Sequence, residues 1–324
     1  MSSIELSIVT PGYNEEESIR KNLLKIKSYL DDNIGLSWEL IFINDGSSDK
    51  TFQNSIDLSR NDNRIKIISY TDNRGRGYAL RKGIEKAEGK YVLTIESDLN
   101  YGSKIIDELY QAIKCSNFDI IVASPYMLGG KLKNVPTKRS FLSRFGNKVL
   151  ALSVGNIVHT VSGMVRIYRR DCIQSLPLVS EDKEIHLEII SKAISLNYKI
   201  SEIPATLTWP KKFKLRKSTR KSSFQAKKYI ISHILFSFSE YPLLLFGVIG
   251  GSLLLLGLGL GFYLAIQFII FNEMIGDRIV FLIATMFFTL FGIQSLLFSF
   301  LAYQNKELQK DIYRIQAKFI NKKN

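Results

Sequence analysis

The sequence predicts an α/β protein of the Rossmann-like kind, in which a mostly parallel sheet carries helices on both faces and precedes a two-helix transmembrane hairpin. Three observations predict it. Strand-like and helix-like segments alternate through the first 210 residues, two strand-like runs end abruptly in acidic residues, and two long segments near the end carry no charge. Such alternation is typical of βαβ units, which build parallel sheets covered on both faces.

The alternating segments follow one another at short intervals. Short apolar runs predict strands at about residues 4–10, 39–43, 65–69, 91–95, 119–123 and 198–203. Apolar residues at helical spacing predict helices at about 15–30, 49–60, 78–87, 103–114 and 182–196. Residues 124–160 are basic and are expected to be rich in loops. Cys115 and Cys172 are expected to be free thiols, and no signal peptide is recognisable.

Two charge-free segments predict the membrane hairpin. Residues 241–272 and 279–305 contain no Asp, Glu, Lys or Arg. A helix that crosses a bilayer needs roughly 20 apolar residues, so we expect spans at about 243–271 and 279–303. The alternative is a pair of buried helices in a soluble core, which rarely run so long without charge. Six glycines of the first span suit close helix packing: Gly247, Gly250, Gly251, Gly257, Gly259 and Gly261.

The net charge of +14 is concentrated beside these spans. Residues 211–228 hold nine Lys or Arg and no acid, and the tail 306–324 carries +4. Positive charge that flanks apolar segments favours anionic lipid over nucleic acid as the partner, and the positive-inside rule places both flanks in the cytoplasm. We therefore expect a cytoplasmic domain at 1–217, a basic interfacial helix at 218–240, two spans within 241–305 and a basic cytoplasmic tail at 306–324.

Acidic residues follow two of the predicted strands. The run 39–43 leads into Asn44-Asp45, and the run 91–95 leads into Glu96-Ser97-Asp98. The carboxyl edge of a parallel sheet is where open α/β proteins bind ligands. Carboxylates that lie together repel one another unless a cation joins them, and a divalent metal with a phosphorylated ligand suits such a place.

Two further loops have the composition of a binding site. The first strand leads into Pro11-Gly12-Tyr13-Asn14-Glu15, where an aromatic side chain stands beside a predicted helix start that can hold a base or a phosphate. The third strand leads into residues 73–79, where Gly75 and Gly77 are expected to let the main chain approach a ligand closely. These glycines follow the third strand rather than the first, which excludes a dinucleotide-binding fingerprint.

Together these motifs resemble the family 2 glycosyltransferases of the GT-A fold. The resemblance rests on Pro11-x-Tyr13-Asn14-Glu15, the Asp45-Gly46-Ser47-x-Asp49 turn, the loop 73–79 and the acid-x-Asp98 element. More narrowly, the chain is similar to the polyprenyl-phosphate glycosyltransferases, the group of dolichol-phosphate mannosyltransferase. Further similar segments are 126–130, 136–139, 162–163 and 202–204, followed by the two predicted spans.

The resemblance implies a role for each matching residue. Asp98 and Glu96 are the implied catalytic acids, and Asp98 with Asn100, which stands where the family usually has Gln, would hold Mg²⁺ or Mn²⁺. The implied contacts with the donor nucleotide are Pro11, Tyr13, Glu15, Ile43, Asp45 and Ser97. The implied contacts with the acceptor or its phosphate are Arg139, Lys212, Arg216 and Ser218.

The implied reaction is the inverting transfer of a sugar, with a hexose expected, from a UDP- or GDP-sugar to a polyprenyl or dolichyl phosphate at the cytoplasmic membrane face, in a glycan or protein glycosylation pathway. The attacking lipid phosphate is already anionic, so positioning and electrostatics replace a strong base. The expected partners are the nucleotide sugar, the lipid phosphate and the membrane, without nucleic acid. The oligomeric state stays open, and a homo-oligomer is one of the options.

Three departures from the family pattern keep two alternatives open. Glu96 stands where the family has Asp, Pro125 where relatives usually have Arg, and His159 where they often have Asp. One alternative is transfer to a hydroxyl of a lipid-linked sugar, which needs a general base. The other is a degenerate GT-A domain that scaffolds membrane enzymes without catalysis. Processive polysaccharide synthases are disfavoured, because Gln-x-x-Arg-Trp and further spans are absent from the sequence.

Overall fold

A computed structural model describes residues 4–33, 35–209, 242–271 and 278–323. The chain divides into two compact units. One comprises Met1–Phe224 together with Ile312–Asn324, and the other comprises Gln225–Asp311. The first contains the predicted sheet and the second the apolar segments, and each is described by itself.

The strands of the first unit confirm a mostly parallel sheet. Seven strands form it in the order β3-β2-β1-β4-β7-β5-β8, and β6 and β9 form a small parallel pair. All pairings in the large sheet are parallel except those of β7 with β4 and β5. The strands are β1 (Leu6–Gly12), β2 (Trp38–Asp45), β3 (Ile65–Tyr70), β4 (Tyr91–Thr94), β5 (Ile120–Ser124), β6 (Lys131–Lys133), β7 (Arg166–Arg169), β8 (Ile200–Pro204) and β9 (Thr206–Thr208).

Helices cover both faces of this sheet, as the sequence predicts. Side chains alternate along each strand, so Leu6 and Ile8 of β1 lie in one apolar cluster and Val9 lies in the other. Helices α1, α2 and α4 supply the first cluster, and α3, α5, α6 and α7 supply the second. The helices are α1 (Ile19–Asn33), α2 (Thr51–Asn61), α3 (Arg76–Lys86), α4 (Ile105–Lys114), α5 (Thr137–Ser153), α6 (Arg170–Ser175) and α7 (Ile185–Ser195).

The segment 124–160 differs from the expectation of loops. It contains the short strand β6 and the 17-residue helix α5, although the composition suggested irregular structure. Apolar residues fall on more than one side of α5 and Gly146 lies in its middle, so the helical period is weak in the sequence. The strand β1 also runs past Pro11, which pairs with Ile43 of β2, whereas pairing with β4 stops at Val9.

The second unit contains the long apolar helix α8 (Pro242–Ile269) and most of the helix α9 (Ile279–Lys323), whose residues from Ile312 onward belong to the first unit. Their segments Phe246–Ile269 and Ile279–Ile320 are long and apolar enough to cross a membrane. The helix α9 continues well beyond residue 303, where the predicted span ends, and makes most of the predicted tail helical.

Small residues bring α8 and α9 close together. A Cβ atom added at Gly250 would lie 3.0 Å from the carbonyl oxygen of Gly292, and one at Gly257 would lie 2.7 Å from the main-chain nitrogen of Thr289. Gly251 and Gly259 have no such neighbour within 4 Å, so the predicted packing role holds for part of the glycine set. The predicted interfacial helix at 218–240 and residues 272–277 of the connector lie outside the described residues.

Candidate active site at the carboxyl edge of the sheet

The acidic motifs come together because their strands are neighbours. In the sheet β1 lies between β2 and β4, and all three run in the same direction. Asp45 ends β2, Glu15 follows β1, and Glu96 and Asp98 follow β4. The four carboxylates therefore lie at the carboxyl edge, as the sequence predicts.

Asp45 organises the loop that follows β3. Its carboxylate accepts hydrogen bonds from the Tyr70 hydroxyl (2.7 Å), the Asn73 amide (3.0 Å) and the main-chain nitrogens of Arg74 (3.0 Å) and Gly75 (3.1 Å). Four donors satisfy one carboxylate that is 4% exposed. Asp45 therefore fixes the shape of the loop from within, and a ligand would meet the loop more readily than the carboxylate.

Gly75 and Gly77 allow a close approach within the chain itself. A Cβ atom at Gly75 would lie 2.5 Å from the carbonyl oxygen of Glu181, and one at Gly77 would lie 2.6 Å from the carbonyl oxygens of Ser180 and Asp182. The Gly77 nitrogen donates to the Glu181 oxygen at 2.8 Å. The chain's own segment before α7 thus makes a close approach to both glycines, and a close approach by a ligand stays a prediction.

Three carboxylates form the acidic cluster of the site: Glu15, Glu96 and Asp98. Burial raises the pKa of Glu15 and of Glu96, and the nearby charge of Asp98 raises both further. Asp98 is open to solvent, yet the protein around its carboxylate partly desolvates it and raises its pKa as well. The Ser97 hydroxyl donates to the Glu15 carboxylate at 2.5 Å and holds it in the cluster.

Arg76 is the site residue that the sequence reasoning missed. Its guanidinium lies 3.5 Å from the Glu96 carboxylate and counteracts the pKa rise of all three acids. It occupies the first position of α3, directly after Gly75. An arginine between two glycines, in a loop that leaves the same edge of the sheet, was the signal available in the sequence.

A tight turn presents Asp98 and Asn100 together. Leu99 between them has φ 50°, a left-handed conformation that costs a bulky residue about 1–2 kcal/mol. Its side chain is 7% exposed and packs in the core, which holds the turn in place. The Asn100 amide donates to the Asp98 carboxylate at 2.5 Å, so both side chains face one spot.

The oxygen atoms at this spot suit a divalent cation in part. Within the described residues, no three His, Cys, Asp or Glu side chains form a ready metal site. Mg²⁺ commonly uses one or two carboxylates and takes its other oxygens from water and substrate phosphates. Asp98 fits that pattern, and a half-turn of the Asn100 amide would bring its oxygen to the same place.

The other predicted site residues differ in their position and in their surroundings. Pro11 lies near the end of β1 and Tyr13 follows that strand, and Tyr13 is 44% exposed. Ile43 is fully buried against Gly83, so its side chain faces the core rather than the edge. Arg139 stacks over the Trp209 ring at 4.2 Å. Three predicted acceptor residues lie outside the described residues: Lys212, Arg216 and Ser218.

One departure from the family pattern, His159, has a local explanation, and nothing in the structure explains Pro125 in place of Arg. His159 donates its main-chain nitrogen to the Glu202 carboxylate at 2.8 Å, and its Nδ1 lies 2.8 Å from the same oxygen. An aspartate at position 159 would place a second carboxylate against Glu202, whereas histidine complements it. Pro125 is buried, and its carbonyl oxygen would lie 2.8 Å from a Cβ atom added at Gly130.

The chain matches a known family by sequence. The model of glycosyl transferase family 2 matches residues 7–176. A dolichol-phosphate mannosyltransferase of Pyrococcus furiosus is 28% identical over 207 residues, which are 63% of this chain and 56% of that protein. A dolichyl-phosphate beta-glucosyltransferase of Saccharomyces cerevisiae is 30% identical over 226 residues, with coverage of 64% and 67%. An uncharacterized glycosyltransferase of Synechocystis is 36% identical over 122 residues, 38% of each chain.

The chain thus spans about half of the length of the first two relatives it matches. Among solved structures, glucosyl-3-phosphoglycerate synthase from Mycobacterium tuberculosis in complex with Mn²⁺, uridine diphosphate and phosphoglyceric acid has a TM-score of 0.55 at 18% identity. The match covers 73% of this chain and 78% of that one. At this identity the likeness concerns the fold.

Proposed function

The chain belongs to glycosyl transferase family 2, whose model matches just over half of it, and from this premise we propose that it transfers a sugar from a nucleotide-sugar donor to a polyprenyl or dolichyl phosphate. The observation that carries the proposal is the acidic cluster of Glu15, Glu96 and Asp98 at the carboxyl edge. Relatives with 28% and 30% identity are named for transfer involving dolichyl phosphate, which supports this acceptor class.

The donor nucleotide is proposed to lie along the ends of β1 and β2. Tyr13 offers an exposed aromatic ring for a base, and the loop that Asp45 shapes offers main-chain groups. Glu15 and Ser97 are joined by a hydrogen bond. In this proposal they lie beneath the bound donor, between this loop and Asp98. A pyrophosphate would then extend from the base toward the turn at residues 98–100.

The diphosphate is proposed to reach Asp98 and Asn100 together with Mg²⁺ or Mn²⁺. When bound there, the cation would neutralise the charge that develops on the departing nucleoside diphosphate. Asp98 and Asn100 would orient it, and Glu96 would line the same site beside Arg76. Arg76 is the described cation closest to the cluster, and we propose that it turns from Glu96 toward the phosphates when they arrive.

The acceptor phosphate is proposed to meet the basic segment after Trp209. The Thr208 nitrogen donates to the Asn100 oxygen at 2.8 Å, so the last described residues before Lys212 contact the turn that carries Asp98 and Asn100. Four extended residues reach at most about 14 Å, which keeps Lys212 within range of the site. Arg216, Ser218 and Arg139 complete the proposed acceptor set.

The reaction follows from these charges. An anionic lipid phosphate oxygen attacks the anomeric carbon as the bond to the nucleoside diphosphate breaks, so the anomeric configuration inverts. The nucleophile brings no proton to remove, and the protein contributes position and electrostatic stabilisation. The apolar helices α8 and α9 are proposed to hold the chain in the bilayer, with the basic flanks and the site on the cytoplasmic side.

A transfer assay tests this function. Membranes that contain the full chain would be incubated with labelled UDP- and GDP-hexoses and polyprenyl phosphate, with Mn²⁺ or with a chelator. We expect a labelled lipid that requires the cation and is lost in Asp98→Ala. The matched control is Asp32→Asn, which removes an exposed acid of α1 that bonds Ser28.

Two outcomes would contradict the proposal. Label that enters a lipid-linked sugar but never free lipid phosphate would favour hydroxyl transfer, and a rate that rises with pH would point to its general base. No labelled lipid with any common donor, together with an unchanged cellular glycolipid profile in Asp98→Ala, would favour the scaffold.

A further inference from the structure

The outward face of α5 combines exposed aromatic rings with basic side chains. Phe141 is 74% exposed and Phe145 is 58% exposed, and their spacing of four places them on one side of the helix. Arg144 and Lys148 are exposed on the same side. Asn147 and Leu150 lie on the opposite side and are buried. The basic aromatic face is defined here as Phe141, Arg144, Phe145 and Lys148.

The segment of chain around this face carries positive charge and contains no acidic residue. Residues 120–170 contain no Asp or Glu, while the loop and strand before α5 add the exposed Lys131 and Lys133. Leu128, in the same segment, is 95% exposed. The helix α1 offers the contrast, because its exposed Leu24 lies on a helix where Lys27 pairs with Asp31.

We propose that the basic aromatic face docks on a bilayer surface that contains anionic lipid. Phenylalanine rings enter the boundary between headgroups and acyl chains, and Arg and Lys beside them bind lipid phosphates. The charge of the face matches such a surface. A soluble partner would need an acidic and apolar patch of the same shape, whereas an anionic bilayer supplies both features over its whole area.

Docking through α5 would also orient the active site. Asn147, on the buried side of α5, accepts hydrogen bonds at 3.0 Å from the nitrogens of Val161 and Ser162. A Cβ atom added at Gly163, the next residue, would lie 3.9 Å from the Tyr101 hydroxyl, and Tyr101 directly follows Asn100. Packed groups thus connect the docked helix to the turn that carries Asp98. The docking itself does not depend on the proposed sugar transfer.

Lipid quenching of a fluorophore tests the docking in the full chain. Phe145→Cys, in a Cys115→Ser background, would carry an environment-sensitive label in nanodiscs whose lipids bear nitroxides on their acyl chains. The matched control is Leu24→Cys on α1, an exposed apolar position among mixed charges. In nanodiscs with phosphatidylglycerol we expect about threefold stronger quenching at position 145 than at position 24.

Charge reversal tests whether attraction to anionic headgroups, rather than mere nearness of α5 to the bilayer, causes the quenching at position 145. Arg144→Glu with Lys148→Glu should reduce the quenching at position 145 about twofold or more, because repelled headgroups replace attracted ones. Lys21→Glu with Lys25→Glu, an equal change on α1, should leave it unaltered. Equal quenching at positions 145 and 24 would overturn the proposal. So would a blue-shifted label that lipid nitroxides do not quench and that persists in detergent, since residues 210–241 or a second copy would then cover the face.

Discussion

The two edges of the central sheet use carboxylates in opposite ways. At the amino edge, Glu39 is 1% exposed and accepts hydrogen bonds from the Ser7 hydroxyl (2.5 Å) and the Glu88 nitrogen (2.7 Å), while Lys66 lies 2.8 Å away. At the carboxyl edge, the acidic cluster has Arg76 at 3.5 Å and raised pKa values. One edge satisfies its acid internally, and the other keeps acids that an external cation would satisfy.

This difference separates stability from function within one layer of the fold. A buried carboxylate with partners at hydrogen-bond distance stabilises the strands it joins. Carboxylates that raise one another's pKa oppose folding at neutral pH and favour whatever cation arrives. Asp45 shows that position alone does not decide the matter, because it lies at the carboxyl edge and still has four donors.

The largest expected effect is on catalysis at the carboxyl edge. Asp98→Asn should lower the transfer rate about 10²–10³-fold, because the lost charge is the one placed to hold the cation. The unfolding midpoint should stay level or rise, since a repelling charge is removed. Rate and thermal unfolding would be measured on the same preparation. A rate loss that tracked a lower midpoint would make Asp98 a structural residue.

Glu39→Ala should show the reverse pattern at the amino edge. It leaves the Glu88 nitrogen and the Ser7 hydroxyl without their acceptor and should destabilise the first unit by about 2–3 kcal/mol. The transfer rate per folded molecule should be unchanged. Denaturant unfolding followed by tryptophan fluorescence would measure the loss. A rate that fell tenfold in the folded fraction would break the proposed division between the edges.

A smaller effect is expected where the loop from β3 meets the segment before α7. Gly77→Ala puts a Cβ atom 2.6 Å from two main-chain oxygens, and neither can move as a side chain end would. We expect a loss of about 1–3 kcal/mol and weaker donor binding. Gly35→Ala is the matched control, because no atom lies within 4 Å of its Cβ position. Equal stability of the two variants would contradict the packing.

The smallest effect is the pH dependence of the acidic cluster. The folded state raises the pKa values of Glu15, Glu96 and Asp98, so it binds more protons than the unfolded state just above the ordinary carboxyl range. Stability contributed by these groups therefore falls as pH rises through that window. Relative to Glu96→Gln, the metal-free wild type should lose on the order of 1 kcal/mol or less between pH 4.5 and pH 7. Paired thermal melts would measure it, and parallel curves would contradict the raised pKa of Glu96.

Much of the fold and part of the site were predictable from sequence. Acidic residues that follow two predicted strands indicate one shared edge of the sheet, because neighbouring parallel strands end at the same edge. The antiparallel strand β7 was not predictable, since Arg166 within it is fully buried and donates to the main-chain oxygens of His186 and Val161. A charged residue in a four-residue strand resembles a loop until those distant acceptors are in place. The use of Gly75 and Gly77 likewise depends on a segment one hundred residues away.

The central claim is that Asp98 helps to hold a divalent cation on a nucleoside diphosphate. Titration of UDP and of GDP into the full chain, with the binding of Mn²⁺ followed by electron paramagnetic resonance, tests it most directly. We expect one of the two nucleotides to bind about tenfold or more tightly with Mn²⁺ than without it, and Asp98→Asn to abolish that gain. Equal nucleotide affinity with and without Mn²⁺ in the wild type, or an undiminished gain in Asp98→Asn, would contradict the claim.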